Sequence, residues 1–343
     1  MESCEGSKSP TPPSQVLQWI EPVTSAAHWL ALRGHGGYSG AQFWRKLQGS
    51  ESWCLRCWPL EHPNPQRLST LHGWLHLCQD LPYIPTPWVN RQGISWLETS
   101  EGRWELTPWL PGRADFLTQP SHARLRAAAQ ALAEVHQIWS RHRQLPIQAG
   151  CPAISQRLKR FSDLSRGELE QLRTCMLVRT DGTLDHLSQR CLEQYDRHAA
   201  SLRAEVQQAS AMALPLQPCL RDIWHDHLLF DEEILTGIVD FGAAKMDVIA
   251  GDLARMLGSL VADSNDLWEI AQEAYDEVYA LTQEQWRLAR LLDRSGCLLG
   301  VMNWLRWIWI DRRQFEDMSR VEQRLTQLVG RMEEWSPPQS LTL

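Results

Sequence analysis

The stretch LRDIWHDHLLFDEEILTGIVDFG, residues 220–242, decides how the rest of the chain is read. It begins as a polar loop, enters a short apolar strand at 228–230, turns at 231–233 and continues as a second strand at 234–239. That second strand ends in Asp240-Phe241-Gly242, and Asp222 opens the loop at the other end. A hairpin brings the two ends of the segment near each other, with His225, Asp226 and His227 between the two carboxylates. Side chains of these types, gathered at one mouth, can hold a divalent cation and accept a proton from a hydroxyl.

The order of these residues resembles the catalytic and metal-binding loops of kinases. Arg221-Asp222 comes first, His227 follows as a candidate ligand five positions after the aspartate, and two hydrophobic strands lead to Asp240-Phe241-Gly242. The separation of 18 residues between Asp222 and Asp240 is also similar to that of the family. The small-molecule branch, the aminoglycoside phosphotransferase and choline kinase group, resembles the chain best, because Asp252-Leu253-Ala254 stands where that group carries the same tripeptide on a helix. The resemblance implies an α+β, two-lobed, protein-kinase-like fold, with a small N-terminal antiparallel β-sheet lobe and a larger, mainly helical C-terminal lobe. It divides the chain into a disordered lead-in at 1–14, a nucleotide-binding lobe with its hinge at 15–112, and a helical lobe at 113–343. That last lobe would carry the catalytic loop at 220–230 and the Asp-Phe-Gly segment at 240–242.

Size and composition agree with one such unit. A chain of 343 residues can bury a sizeable core, and 43% hydrophobic with 22% charged residues is ordinary for a soluble globular protein. A net charge of −7 argues against nucleic acid or an anionic membrane surface as the main partner, since both call for a basic face. It mildly favours a neutral or cationic substrate, although a bland acidic surface explains the same number. The opening MESCEGSKSPTPPSQ has no apolar core and does not read as a signal peptide. No run of about 18 uninterrupted apolar residues occurs, so no membrane span is expected. Nine cysteines without a secretion signal suggest reduced thiols and a cytoplasmic protein. Cys54 and Cys57 lie in a strand, where residues three apart face opposite sides, and read as buried small hydrophobes.

Residues 16–20 read as a short helix, and 29–59 as strands joined through Gly36-Gly37-Tyr38-Ser39-Gly40. Backbone N–H groups in such a glycine turn can cover phosphates, and the resemblance assigns Gly37 and Ser39 to the nucleotide. The family's phosphate-gripping lysine on the third strand is replaced by Arg56, which keeps the charge and changes reach and geometry. Lys46 and Arg45 on the preceding strand are substitutes if they point inward. The next helix, about 65–79, holds no glutamate to orient that cation, and Gln66 is its nearest polar candidate. The phrase from Trp104 to Gly112 resembles the hinge between lobes, with Trp109 and Leu110 offering backbone groups to an adenine edge.

From Ser121 the period changes to 3.6, with Leu125, Ala128, Ala129, Leu132, Val135, His136 and Trp139 on one face, and His136 reads as a satisfied core histidine. Residues 153–208 read as two or three helices broken near 180–182, and 266–335 as three more. Asp247 is positioned to cap the helix that carries Asp252. The 18 Trp against 6 Phe and 5 Tyr make indole the dominant aromatic, with Trp304, Trp307 and Trp309 close together. They suit core packing better than an amine-binding cage.

Asp222 is then the base that orients an acceptor hydroxyl, and Asp240 the ligand of a metal bridging the phosphates of ATP. Position 227, usually Asn, is His, a softer donor that suits Mg²⁺ less well than an amide oxygen. Three alternatives stand open: His227 binds a metal such as Mn²⁺, Asp226 moves in as an oxygen ligand, or the second metal is absent. Arg221 before the base is the form protein kinases use, and Asp252 is structural support for the loop. The expected function is ATP-dependent transfer of the γ-phosphoryl group to a hydroxyl of a small molecule, with Mg²⁺ or Mn²⁺. The alternative is a catalytically silent kinase-like protein that binds a nucleotide or metabolite, which the lost Lys–Glu pair favours.

Overall fold

The computed structural model describes residues 11–24, 28–32, 40–48, 51–141, 145–176, 182–315 and 317–335. Most of the lead-in expected at 1–14 lies outside the described residues, as do Gly37 and Ser39. The chain forms two compact units, one of residues 1–128 with 226–242 and one of 129–225 with 243–343. The first unit thus takes in more than 15–112, because the hairpin at 228–238 groups with residues 1–128, bridging to Arg113 through Phe230.

In the first unit, helix α1 (Ser14–Ile20) precedes strands β1 (Leu30–Leu32), β2 (Gln42–Gln48) and β3 (Glu51–Trp58). Helix α2 (Pro65–Leu77) and strands β4 (Trp96–Thr99) and β5 (Gly102–Pro108) follow. The strands form one sheet in the order β1-β2-β3-β5-β4, antiparallel throughout. Because side chains alternate along each strand, the register sorts them onto two faces. Trp44, Leu55 and Leu106 stand in line on one, and with Trp104 they pack on Val16 and Ile20 of α1. Phe43, Arg56 and Glu105 stand in line on the other, where Leu68 of α2 packs with Ala41 and Trp58. Each fully buried side chain of this kind contributes about 1.5–3 kcal/mol. Helix α2 starts where Asn64 caps it, its side chain accepting from the Arg67 N–H at 2.9 Å with Pro65 in the first turn. Its buried face is Leu68, Leu71, His72 and Leu75, the spacing of one helical stripe. Strands β9 (Leu228–Asp231) and β10 (Ile234–Ile238) make the hairpin read from the sequence.

Helix α3 (His122–Arg141) runs from the first unit into the second, and all seven residues of its expected face are buried. Two short pairs, β6 (Ile147–Ala149) with β7 (Ala213–Pro215) and β8 (Gln217–Cys219) with β11 (Lys245–Asp247), accompany the helices of the second unit. Those are α4 (Pro152–Asp163), α5 (Leu169–Cys175), α6 (Thr183–Ala209) and α7 (Ala250–Leu260), then α8 (Asn265–Asp276), α9 (Gln283–Leu305) and α10 (Met318–Glu333). Helix α9 lies at the centre of this packing, against α4, α6, α7 and α10. The break expected near 180–182 falls partly outside the described residues. Among the described residues no helix is long and apolar enough to cross a membrane.

Candidate active site

The cation on β3 is held in an unfamiliar way. Arg56 has Glu105 directly across on β5, and its Nη1 lies 3.5 Å from Glu105 Oε1. The other carboxylate oxygen of Glu105 is 2.7 Å from His72 Nε2, so α2 contributes an imidazole where a glutamate was looked for. Nδ1 of His72 in turn lies 2.8 Å from Ser95 Oγ. Burial alone would push the Glu105 carboxyl up, but the Arg56 charge and the His72 hydrogen bond outweigh it and hold it at about 2. The guanidinium is also flanked by the rings of Phe43 and Trp58, each centroid 4.7 Å away. Gln66 is exposed and takes no part, which corrects its reading as the helix's orienting candidate.

The two substitutes for Arg56 separate by face. Lys46 shares the α1 side of the sheet with Trp44, buried with its ammonium 5.7 Å from the Trp29 ring, so it points away from Arg56. Arg45 shares the Arg56 side, where it stacks 4.5 Å over Trp109 and donates to Ser52 Oγ. Arg56 is the central cation of that face, and its Nε–H is buried without an acceptor among the described residues. A buried donor left in that state costs free energy until an anion reaches it. The position therefore fits a phosphate oxygen.

The hinge phrase is tied to the hairpin. The N–H of Arg113 donates to Phe230 O and the N–H of Phe230 to Arg113 O, each at 2.9 Å. Thr236, the bulged residue of β10, donates its hydroxyl to Pro111 O at 2.7 Å. Gly112 lies between these contacts at φ +99°, and a Cβ there would stand 2.3 Å from Thr236 Oγ1 and 2.8 Å from Phe230 O. Only glycine lets the chain pass there. The Trp109 N–H is taken by Ser52 O at 2.7 Å, so it is not the adenine donor that the sequence suggested. The Leu110 N–H has no backbone partner among the described residues.

At the end of the hairpin, Asp240 adopts φ +61°, an uncommon conformation that costs about 1–2 kcal/mol and aims a half-exposed carboxylate out of the strand. Its Oδ2 lies 3.8 Å from His227 Nε2. That is too long for a hydrogen bond and short enough for both to be donors to one cation. Backbone bonds hold the pair, with the Val239 N–H donating to His227 O at 2.9 Å and the Ile238 N–H to Tyr83 O at 2.8 Å. Arg67 of α2 donates to Gly242 O at 3.1 Å, which ties the Asp-Phe-Gly turn to the same helix that carries His72. Gly242 fits because a Cβ would come within 3.0 Å of the Trp58 ring and 3.4 Å of Asp240 Oδ1. The donor set of one carboxylate and one imidazole fits a divalent ion that accepts nitrogen.

The second unit carries the loop around Asp222 that the sequence put forward as catalytic. Asp252, fully buried on α7, accepts from the Leu220 N–H at 2.7 Å and the Arg221 N–H at 2.6 Å. His136 Nε2 sits 3.1 Å from the same carboxylate, and His136 Nδ1 is 2.8 Å from the Tyr275 hydroxyl. Cys219 completes this buried group, within reach of both. With its polar atoms answered, the cluster is a brace. Arg221, at φ +67°, places its Nε 3.4 Å from Asp247 Oδ2 and donates from Nη2 to Gln156 Oε1 at 2.7 Å. Asp247 does not cap α7, whose N-cap is Ile249; its Oδ1 accepts instead from the N–H groups of Val248 and Ala153. The reason is that Asp247 ends β11, where its side chain reaches the start of α4.

Asp222 itself is half-exposed, and Arg255 donates to its Oδ1 from Nε at 3.2 Å and from Nη2 at 3.1 Å. Arg255 was not singled out in the sequence, although it stands three residues after Asp252, one turn along the same helix. Its guanidinium lies 5.5 Å from the Trp224 ring. The Trp304, Trp307 and Trp309 rings are engaged elsewhere in this unit: Trp304 packs edge-on with Trp307, Arg313 stacks on Trp307, and Trp309 donates to Ser188 Oγ.

The model of the phosphotransferase enzyme family matches residues 31–292. No curated protein sequence matches the chain significantly. Among solved structures the chain is similar to an aminoglycoside phosphotransferase from Alicyclobacillus acidocaldarius subsp. acidocaldarius, 13% identical with a TM-score of 0.67 and covering 96% of each chain. An amicoumacin kinase solved with AMP-PNP and Ca²⁺ is 12% identical, with a TM-score of 0.61, covering 94% of this chain and 93% of that one. A choline/ethanolamine kinase family protein from Mesorhizobium loti is 14% identical, with a TM-score of 0.53, covering 93% and 94%. At such identities the likeness shows a shared fold, and the family match spans well over half of the sequence. The chain belongs to the phosphotransferase enzyme family.

Proposed function

We propose that the protein transfers the γ-phosphoryl group of ATP to a hydroxyl of a small molecule. The observation that carries this is Arg56: a cation held by Glu105 and stacked between two rings, with a buried Nε–H that has no acceptor among the described residues. A nucleotide phosphate supplies that acceptor. Asp240 and His227 would hold a divalent ion, Mg²⁺ or Mn²⁺, which would neutralise charge on the phosphates. The hinge offers the Leu110 N–H to the adenine edge. In this reading Asp222, of the second unit, accepts the proton as the acceptor oxygen bonds to the γ-phosphorus and the bond to the ADP oxygen breaks. Arg255 fixes one oxygen of that carboxylate, and Asp252 holds the loop that presents it. That the amicoumacin kinase was solved with AMP-PNP and Ca²⁺ supports a nucleotide with a divalent metal here.

The test is a thermal-shift and titration series with ATP, in Mg²⁺ or Mn²⁺. The wild type is expected to bind ATP only with metal present, Asp240→Ala to lose the metal requirement along with most of the affinity, and Arg56→Ala to weaken binding about tenfold or more. ATP affinity unchanged in both variants would contradict the proposal. With nitrogen among the ligands, Mn²⁺ should support more activity than Mg²⁺ at equal concentration, and His227→Asn should reverse that order.

A further inference from the structure

Helix α2 has a second stripe beside the one it buries. Ser69, His72, Gly73 and His76 recur at the spacing of one helical face, and they line a cavity of about 700 Å³ within the first unit. Val89, Ile94 and Trp96 line it as well. That volume suits a small organic molecule. The segment before β4 is held in shape by its own bonds. Asn90 accepts through its side chain from the N–H of Gln92 at 3.0 Å and of Ile94 at 2.9 Å, and the Trp88 N–H donates to Leu106 O at 2.7 Å. Trp96 stands across from Glu105 in the sheet and donates from Nε1 to Ser69 Oγ at 3.1 Å.

Gly73 stands in the middle of α2, where glycine is a poorer helix former than alanine, and a Cβ there would meet nothing within 4 Å. The protein's own packing therefore does not call for glycine at this position, and its bare backbone keeps the cavity open. Val89 and Ile94 leave 36% and 45% of their surface exposed beside it. His76 donates from Nδ1 to His72 O at 2.7 Å, which leaves Nε2 as the acceptor nitrogen of the neutral ring. That atom is buried and has no partner among the described residues. Among the described residues the lining holds no carboxylate, ammonium or guanidinium, so a charged occupant would find no counter-ion. The rings of Trp96, His72 and His76 favour a flat, aromatic one. His72 also belongs to the support of Arg56. Its Nδ1 lies 2.8 Å from Ser95 Oγ, another lining group, and its Nε2 lies 2.7 Å from Glu105.

We propose that this cavity binds a small neutral aromatic molecule whose N–H or O–H donates to His76 Nε2, and that its occupant tightens the grip on the nucleotide through His72, Glu105 and Arg56. The second half rests on the reading of Arg56 as the cation that meets the phosphates. A ring packed on His72 restrains the imidazole against Glu105. Less side-chain freedom is then left for ATP to freeze out when it binds.

The experiment uses four matched probes on the full chain, followed by saturation-transfer NMR titration. Indole is neutral with an N–H donor, 1-methylindole lacks the donor, indole-3-acetate is anionic and tryptamine is cationic. Indole is expected to bind about fivefold more tightly than 1-methylindole, the worth of one hydrogen bond, and about tenfold or more above the charged pair. His76→Leu should erase the preference for indole over 1-methylindole. Gly73→Leu fills the cavity, and should weaken indole about tenfold or more while keeping Tm and the ATP affinity measured without indole. Saturating indole should tighten ATP binding by about fivefold in the wild type and not in Gly73→Leu, and ATP should tighten indole by the same factor. Binding of none of the probes, a preference for a charged one, indole binding indifferent to Gly73→Leu, or ATP affinity unchanged or lowered by indole would overturn the proposal. A protein that bound no ATP at all would contradict the proposed function instead. Indole binding blocked by Gly73→Leu would then still uphold the site, and its absence would still overturn it.

Discussion

Two carboxylates of this protein do the same kind of work in opposite ways. Asp252 in the second unit braces the loop before Asp222 through two backbone N–H groups and His136. It sits in the Asp-Leu-Ala tripeptide where the family resemblance places it. Glu105 in the first unit braces Arg56, but it comes from β5 and not from the helix, and the helix joins in through His72. The difference teaches what each job requires. Holding a backbone loop needs a carboxylate at one point on one helix, so its place in the sequence is constrained. Holding a long cationic side chain needs only an opposite charge within reach, and a cross-strand neighbour serves as well as a helical one. The exchange of Lys for Arg fits this, since a guanidinium can be gripped from the side by Glu105 and by the rings of Phe43 and Trp58 at once.

If that contrast is right, Asp252→Ala is the most damaging substitution of the set. It leaves two buried N–H groups and His136 without their acceptor, a loss of about 3–5 kcal/mol, visible as a large fall in Tm or as failure to fold. A drop below 1 kcal/mol would mean the loop holds itself. Glu105→Gln should cost less, about 2–4 kcal/mol, because Arg56 keeps its aromatic contacts. It should also weaken ATP binding, and His72→Gln should weaken it in the same direction by a smaller amount. Equal ATP affinity in wild type and Glu105→Gln would break the assignment of Glu105 as the orienting carboxylate.

The acid limb sharpens the same point. The Glu105 carboxyl is held at about 2 in the fold, below its unfolded value. Its contribution is therefore complete above the ordinary glutamate range and is lost as pH falls from there toward 2. The wild type should lose stability across that window and Glu105→Gln should lose correspondingly less, as measured by urea midpoints at each pH. Gln66→Ala stands at the small end, with a change within about 0.5 kcal/mol and unaltered ATP affinity.

Much of this was legible in the sequence, for reasons the structure makes plain. The family could be read because Asp222, His227, Asp240 and Asp252 are close together in the chain, and local order carries the pattern. The amphipathic face of α3 could be read because a 3.6-residue period needs no knowledge of distant strands. Glu105 could not, because it meets Arg56 only through the pairing of β3 with β5, and no spacing announces a register between segments so far apart. His72 carried a faint signal as a polar residue within the stripe Leu68, Leu71 and Leu75. Arg255 was within reach of helical reasoning from Asp252, but the partner that matters, Asp222, lies on another element. The apparent loss of a Lys–Glu pair, which favoured a catalytically silent cleft, is answered by a carboxylate supplied from a different strand.

The most direct measurement compares Asp222→Asn with wild type for ATP affinity and for ADP formation on the same preparation, with an acceptor that the wild type turns over. The account predicts unchanged nucleotide binding and a fall in kcat of about 100-fold or more, the usual worth of a positioned base. Turnover within a few-fold of wild type, with ATP still bound, would contradict it.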